Sequence, residues 1–253
     1  MKAKILTVFL MCTVLLTACT IHPIPSAPSD ASSEASSTAT TVDLQTESVP
    51  ETTETTVQIQ TDPPETTLPE PQDEDFVSVV LYIPDLIVDL KYATDQNFTG
   101  QIIYDFDQLW LRYGTVKKLM AVQEELKQQG LYLKVWDGFR PPAAQWRLWD
   151  VCPDPNYVSN PNNGFSSHSR GNTVDITLVY ADGTEVTMPT GFDDFSKLAD
   201  RDYSDCDAEA AANALMLEQI MIEHGFKPYS GEWWHFSDTQ SYQVEHDFEP
   251  GKK

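Results

Sequence analysis

Between residues 20 and 75 the chain carries 12 Asp or Glu and no Lys or Arg, set among Ser, Thr and Pro in runs such as ETTETT. A segment so polar and self-repelling cannot bury enough apolar surface to offset the entropy of ordering it, and is expected to remain an extended stalk. Folding is thereby confined to the residues beyond it. The 178 residues from Phe76 onward hold nearly all the aromatic residues, enough for one ordinary core. The net charge is −23, about half of it from the stalk. That balance argues against a nucleic-acid partner, whose phosphates require clustered Lys and Arg.

The N-terminus has its own pattern. Lys2 and Lys4 precede an apolar run from Ile5 to Leu16, then Leu16-Thr17-Ala18-Cys19. A charged start, a short apolar stretch and small residues before a cut describe a secretory signal, and the run is short for a spanning helix. Leu-Thr-Ala-Cys resembles the bacterial lipobox, in which the cysteine becomes the lipidated terminus; the plainer reading is an ordinary signal with a chance cysteine. The expected organisation is a lipoprotein signal peptide over 1–18, a disordered stalk over 19–75 and a folded domain over 76–253. The chain would sit outside the cytoplasm, anchored to the bacterial cell membrane through Cys19. Cys152 and Cys206 are then left over, and their spacing does not decide whether they pair.

Within the domain, 76–83 and 86–92 are β-rich and read as strands on either side of Pro84-Asp85. Residues 114–129 have Val116, Leu119, Met120 and Leu126 at helical spacing, with Gly130 as a stop. Residues 131–139 alternate as a strand that delivers Asp137 and Arg140 at its far end, and Pro141-Pro142 open a short helix through Trp149. In the next strand Val174, Ile176 and Leu178 face the core, which puts Asp175 on the opposite, open face. Asp182-Gly183 should turn the chain into a partner strand over 185–188. A helix over 207–224, with Leu217, Ile220 and Met221 inward, precedes a final strand over 227–236. Many strands and few helices favour α+β, with a mainly antiparallel sheet flanked by helices.

His168 and Asp175 lie in SSHSRGNTVD, and His235 in EWWH with Glu232 three residues before it. Two imidazoles and one carboxylate suit Zn²⁺, and three protein ligands leave the fourth tetrahedral position open, as in catalytic sites. A carboxylate beside the third ligand suits a general base. Taken singly, each of these residues could as well be an ordinary core or surface side chain. His22, His224 and His246 lack such company and read as stalk, helix-end and tail residues.

The segments DLKYATDQNFTG (89–100), VWDGFRPP (135–142), SSHSRGNTVDITL (166–178) and GEWWHF (231–236) together resemble the VanX-type D-alanyl-D-alanine dipeptidases. These are zinc peptidases that share a fold with D,D-carboxypeptidases and hedgehog domains. The resemblance runs from 76 to about 237, with the four motifs in the family's order. It implies one zinc on His168, Asp175 and His235. Glu232 would take a proton from the attacking water and pass it to the leaving amine, and Arg140 would steady the oxyanion. It also implies substrate contacts at Tyr92, Asp137, Ser166 and Asp193, the last for the substrate ammonium, a role a small shift would give to Asp194. Trp233 and Trp234 read as packing, one of them able to wall the site, and Ser169-Arg170-Gly171 as a tight turn.

The implied activity is zinc-dependent hydrolysis of D-alanyl-D-alanine in cell-wall peptide metabolism. One rival is a D,D-carboxypeptidase trimming peptidoglycan stem peptides with the same machinery. A different class is a non-catalytic, wall-binding lipoprotein, which the loss of a ligand or of the base would have favoured; none is lost. The familiar enzymes of this family act in the cytoplasm, so the signal and stalk are a departure.

Overall fold

The computed structural model describes residues 70–251; the expected signal peptide, Cys19 and the expected stalk up to residue 69 lie outside the described residues. Seven strands and three helices are formed: β1 Phe76–Ser78, β2 Ile87–Val88, β3 Trp110–Arg112, α1 Tyr113–Lys127, β4 Leu131–Asp137, α2 Pro142–Val151, β5 Thr173–Tyr180, α3 Ala208–Glu223, β6 Phe226–Tyr229 and β7 Glu232–Asp238. The main sheet has the order β2-β4-β5-β7-β6. Its β2–β4 pair is parallel and the rest antiparallel, while β1 and β3 make a separate antiparallel pair. The expected α+β class holds.

α1 and α3 cover one face of the sheet. Val116, Leu119, Val122 and Leu126 recur at helical spacing along α1, and Leu217, Ile220 and Met221 along α3. They pack with Leu133, Val135, Val174, Ile176 and Phe236 in one core. Met120, expected inward, is exposed; Val122 takes its place. Asp207 caps α3 by accepting from the Glu209 amide at 2.9 Å, and the left-handed Gly225 (φ 83°) ends it. A smaller cluster, formed by Tyr92, Ile103, Tyr104, Ala144, Leu148 and Val158, packs around α2.

Several expectations need correction. The two opening strands shrink to β1 and β2, because the chain turns at Val79–Leu81 and Lys91–Ala93 in single 3-10 turns. Residues 185–188 form only an isolated bridge, Val179 to Glu185. The last strand is a hairpin, β6 and β7, turning at Ser230-Gly231. Residues just before Phe76 pack on α1: the Tyr113 hydroxyl donates to Glu70 at 2.9 Å, Lys117 pairs with Asp73 at 2.7 Å, and the Tyr113 amide donates to the Asp75 carbonyl at 2.8 Å. Cys152 and Cys206 are both free thiols. Among the described residues, no helix is long and apolar enough to cross a membrane.

Candidate active site

Strand register builds the site. Asp137 of β4 lies opposite Asp175 of β5, and Asp175 lies opposite His235 of β7. Directly opposed residues share a face, so three functional side chains stand in a row across the sheet. Val174, one residue along, pairs with Phe236 and faces the core. The face carrying Asp175 is not open, as the alternation suggested. Thr173, Asp175 and Thr177 are all buried on it, and with both faces covered the pattern no longer marks solvent.

His168 enters from the loop before β5, on a 3-10 turn over Ser167–Arg170. The Gly171 amide closes this turn onto the His168 carbonyl at 3.1 Å, with Gly171 in the left-handed region at φ 74°. A Cβ there would overlap the Phe76 ring, so glycine is required for both conformation and space. The His168 Nδ1–H donates to the Gly138 carbonyl at 2.8 Å. That bond fixes the tautomer and leaves the Nε2 lone pair for a ligand. His168 Nε2 stands 3.3 Å from Asp175 Oδ2 and 3.3 Å from His235 Nδ1, and His235 Nδ1 stands 3.0 Å from Asp175 Oδ1.

Asp175 Oδ1 is buried and makes no hydrogen bond of acceptable geometry. Three electron-pair donors thus converge within 4.8 Å of one another, which suits one metal ion. Burial opposes ionisation of Asp175, but the imidazoles of His168 and then His235 outweigh it and hold the carboxyl well below its usual range. Burial likewise opposes charge on His168, yet Asp175 and Asp137 raise its pKa. The Glu232 carboxylate is 3.5 Å from His235 Nδ1. Burial, followed by the Asp175 charge, pushes its pKa up from the usual carboxylate value.

The ligand trio, Glu232, Arg140, Tyr92, Ser166 and Asp193 line one cavity of about 310 Å³. Arg140 is buried, with two bonds to Asp137 Oδ2, from Nη2 at 2.5 Å and from Nε at 3.1 Å. Its Nη1 donates to Gln145 at 3.1 Å, and its guanidinium lies 5.0 Å from the Tyr92 ring centre. The guanidinium also lines the cavity, where it can meet a substrate oxygen. The Tyr92 hydroxyl donates to Asp193 at 2.9 Å. Burial raises the Asp193 pKa to about 8; the Tyr92 bond and Arg140 lower it, while Asp175 and Glu232 add to the rise. Asp193 is also the one non-glycine residue described with positive φ, at 55°. Such an outlier belongs to a position the surroundings over-determine. Asp194 instead caps the exposed Ser196 amide at 2.9 Å.

Asp137 departs from its expected role as a substrate contact. It is fully buried, is absent from the cavity wall, and accepts from Tyr104 at 2.5 Å and from the Gly138 amide at 2.8 Å as well as from Arg140. Its position is behind Arg140, where it orients and neutralises the guanidinium. Trp233 and Trp234 are both buried; only Trp234 reaches the cavity, and the Trp233 indole donates to Thr190 at 2.9 Å. Sequence reasoning missed Tyr104 and Gln145. Gln145 is buried and joins Arg140 to the Ser159 carbonyl at 2.8 Å, a bridge no spacing rule announces.

The chain is similar to several known proteins. A D-alanyl-D-alanine dipeptidase of Escherichia coli strain K12 is 36% identical over 167 residues, covering 66% of this chain and 86% of that protein. One of Enterococcus faecium is 33% identical over 168 residues, covering 58% and 83% respectively. One of Streptomyces coelicolor is 33% identical over 185 residues, covering 64% and 91%. The family model described as D-ala-D-ala dipeptidase matches residues 72–249, well over half of the chain, and the protein therefore belongs to that family of metallopeptidases.

Proposed function

We propose that this protein hydrolyses D-alanyl-D-alanine to D-alanine with one zinc ion held by His168, Asp175 and His235. Ligands bonded to zinc at about 2.0–2.2 Å in a tetrahedron lie roughly 3.3–3.5 Å from one another. His168 Nε2 lies at that spacing from both His235 Nδ1 and Asp175 Oδ2, 3.3 Å each, while Asp175 Oδ1 stands slightly closer to His235 Nδ1, at 3.0 Å. When bound, zinc supplies Lewis acidity, polarising a carbonyl oxygen and bringing the pKa of a coordinated water to about 7.

The observation that carries the reading is the joint lining of one small cavity by a partly buried carboxyl, Asp193, and the ligand trio with Glu232. A free dipeptide brings an ammonium that Asp193 can pair with, aided by the Tyr92 hydroxyl at 2.9 Å. Arg140, held rigid by Asp137 and Gln145, offers its remaining donors to oxygen that becomes negative in the transition state. Glu232 accepts the proton of the attacking water and delivers it to the leaving nitrogen, so that the base is restored after each turnover.

The test is hydrolysis by the zinc-loaded full chain of D-Ala-D-Ala, N-acetyl-D-Ala-D-Ala and a stem pentapeptide, read as released D-alanine. An acylated nitrogen leaves Asp193 without its cation and needs room for more chain, so the free dipeptide should be strongly preferred. Comparable kcat/KM on free and acylated substrates would instead support a D,D-carboxypeptidase. The location belongs to the same proposal: an extracytoplasmic, lipid-anchored enzyme acting on peptidoglycan-derived D-Ala-D-Ala. What supports it is the Lys-rich start, the apolar run and Leu16-Thr17-Ala18-Cys19.

A further inference from the structure

One part of the DLKYATDQNFTG segment has no role in this chemistry: Asn97-Phe98, downstream of Tyr92. Asn97 locks its own loop, donating to the carbonyls of Lys91, Thr94 and Gln101 at 3.2, 2.8 and 2.9 Å. The loop so held presents Phe98 to two rings from elsewhere in the chain, Phe195 at 5.2 Å and Tyr157 at 6.5 Å between centres. Tyr157 and Phe195 lie 4.8 Å apart, and both line the catalytic cavity. Each ring is mounted on an anchored turn. The amides of Tyr157 and Val158 donate to the Asp154 carbonyl at 3.0 and 2.9 Å, and Asp194 caps Ser196 beside Phe195.

These rings are partly exposed, Tyr157 at 49% and Phe195 at 37%, although they pack on one another. Aromatic surface left open beside a polar cavity contributes little to the core and is placed to meet a ligand. Phe195 is two residues from Asp193, which is assigned the substrate ammonium. We propose that Phe98, Tyr157 and Phe195 form a size filter that restricts the substrate's amino-terminal residue to a side chain about as small as alanine's. The inference rests on the reading of Asp193. The ammonium is one bond from the α-carbon, so anchoring it at Asp193 brings the first side chain against this wall. Tyr157 and Phe195 form the wall, and Phe98 backs both rings without touching the cavity.

The experiment compares D-Ala-D-Ala with D-Leu-D-Ala. Both keep a free ammonium and a free carboxylate and differ only in the first side chain. A wall of this kind discriminates by roughly 10–200-fold for one misplaced methylene, so the zinc-loaded wild type should prefer D-Ala-D-Ala by about that factor or more. Tyr157→Ala and Phe195→Ala should each cut the ratio of the two kcat/KM values by about tenfold, and Phe98→Ala should move it the same way by less. Tyr157→Phe, which keeps the ring, should leave the ratio where it was. Melting curves identify any variant that has lost its fold; for such a variant Tyr157→Trp serves instead and should sharpen the preference. Wild type that cleaves neither dipeptide sinks the dipeptidase reading itself. Wild type that cleaves both equally, or folded alanine variants with an unchanged ratio, sink the filter alone.

Discussion

Glu232 and Asp193 are both partly buried carboxyls with raised pKa values, yet the proposed function gives them opposite work. Glu232 sits beside a ligand, 3.5 Å from His235 Nδ1, where a proton can be taken and returned. Glu232→Gln should retain zinc and fold while kcat falls by roughly 10²–10⁴-fold, the usual worth of a positioned base; metal analysis beside steady-state kinetics decides it, and near-normal kcat would overturn the assignment. Arg140→Lys should also be costly, since a point-charge ammonium cannot hold Asp137 and Gln145 together while still facing the cavity. Activity within a few-fold of wild type would remove Arg140 from the mechanism. For Asp193 the consequence is one of stability. Its pKa rises from 3.8 to about 8 on folding, so the folded state holds this proton more tightly than the unfolded chain. That contribution is fully present below the unfolded value and is lost as pH climbs through the folded one. In metal-free protein, Asp193→Asn should therefore gain stability relative to wild type as pH rises from about 4 to about 8, while losing dipeptidase activity. A difference in Tm between the two that stays flat across that range would contradict the burial argument.

At the scale of elements, what periodicity encodes was legible and what covers a face was not. The helices α1, α2 and α3 followed from apolar spacing, proline starts and glycine stops, because those signals are local. Strand β5 was legible too, but the face of Asp175 was misjudged, since Asp137 and His235, which flank it there, lie far away in sequence. The β6–β7 hairpin was read as one strand because Tyr229-Ser230-Gly231 is a turn only when the two strands pair. The convergence of His168, Asp175 and His235 was legible from motif spacing and resemblance. Asp137's retreat behind Arg140 was not, since it depends on Tyr104 and Gln145 approaching from other elements. The turn that carries His168 gives this scale its test. Gly171→Ala forces an L side chain into the left-handed region and into the Phe76 ring. The backbone term alone costs on the order of 1–2 kcal/mol, which lowers Tm by about 2–4 °C per kcal/mol in a domain of this size. Because the same turn aims His168, zinc affinity should fall along with Tm. A variant with wild-type Tm and zinc affinity would show that the turn is not under this constraint.

At the scale of the whole molecule the question is how a dipeptidase comes to carry 69 residues ahead of its described domain. Among the described residues, those that line the catalytic cavity begin at Tyr92. The proposal that the leading segment serves location rests on its composition, which suits a tether: acidic, rich in Ser, Thr and Pro, and headed by Leu-Thr-Ala-Cys. One acyl chain holds a protein to a bilayer only reversibly, whereas two or more give durable attachment, so a multiply acylated Cys19 should fractionate cleanly with membranes. Cys19→Ser should shift the protein to the soluble fraction or block its processing, and labelled fatty acid should no longer be incorporated. Lipid label that survives this substitution would refute the anchor. Because Cys19 lies outside the catalytic domain, kcat/KM on D-Ala-D-Ala should be the same for the released and the anchored protein. A released enzyme that has lost its activity would mean that the segment contributes to the site after all, and the division between tether and catalyst would have to be redrawn.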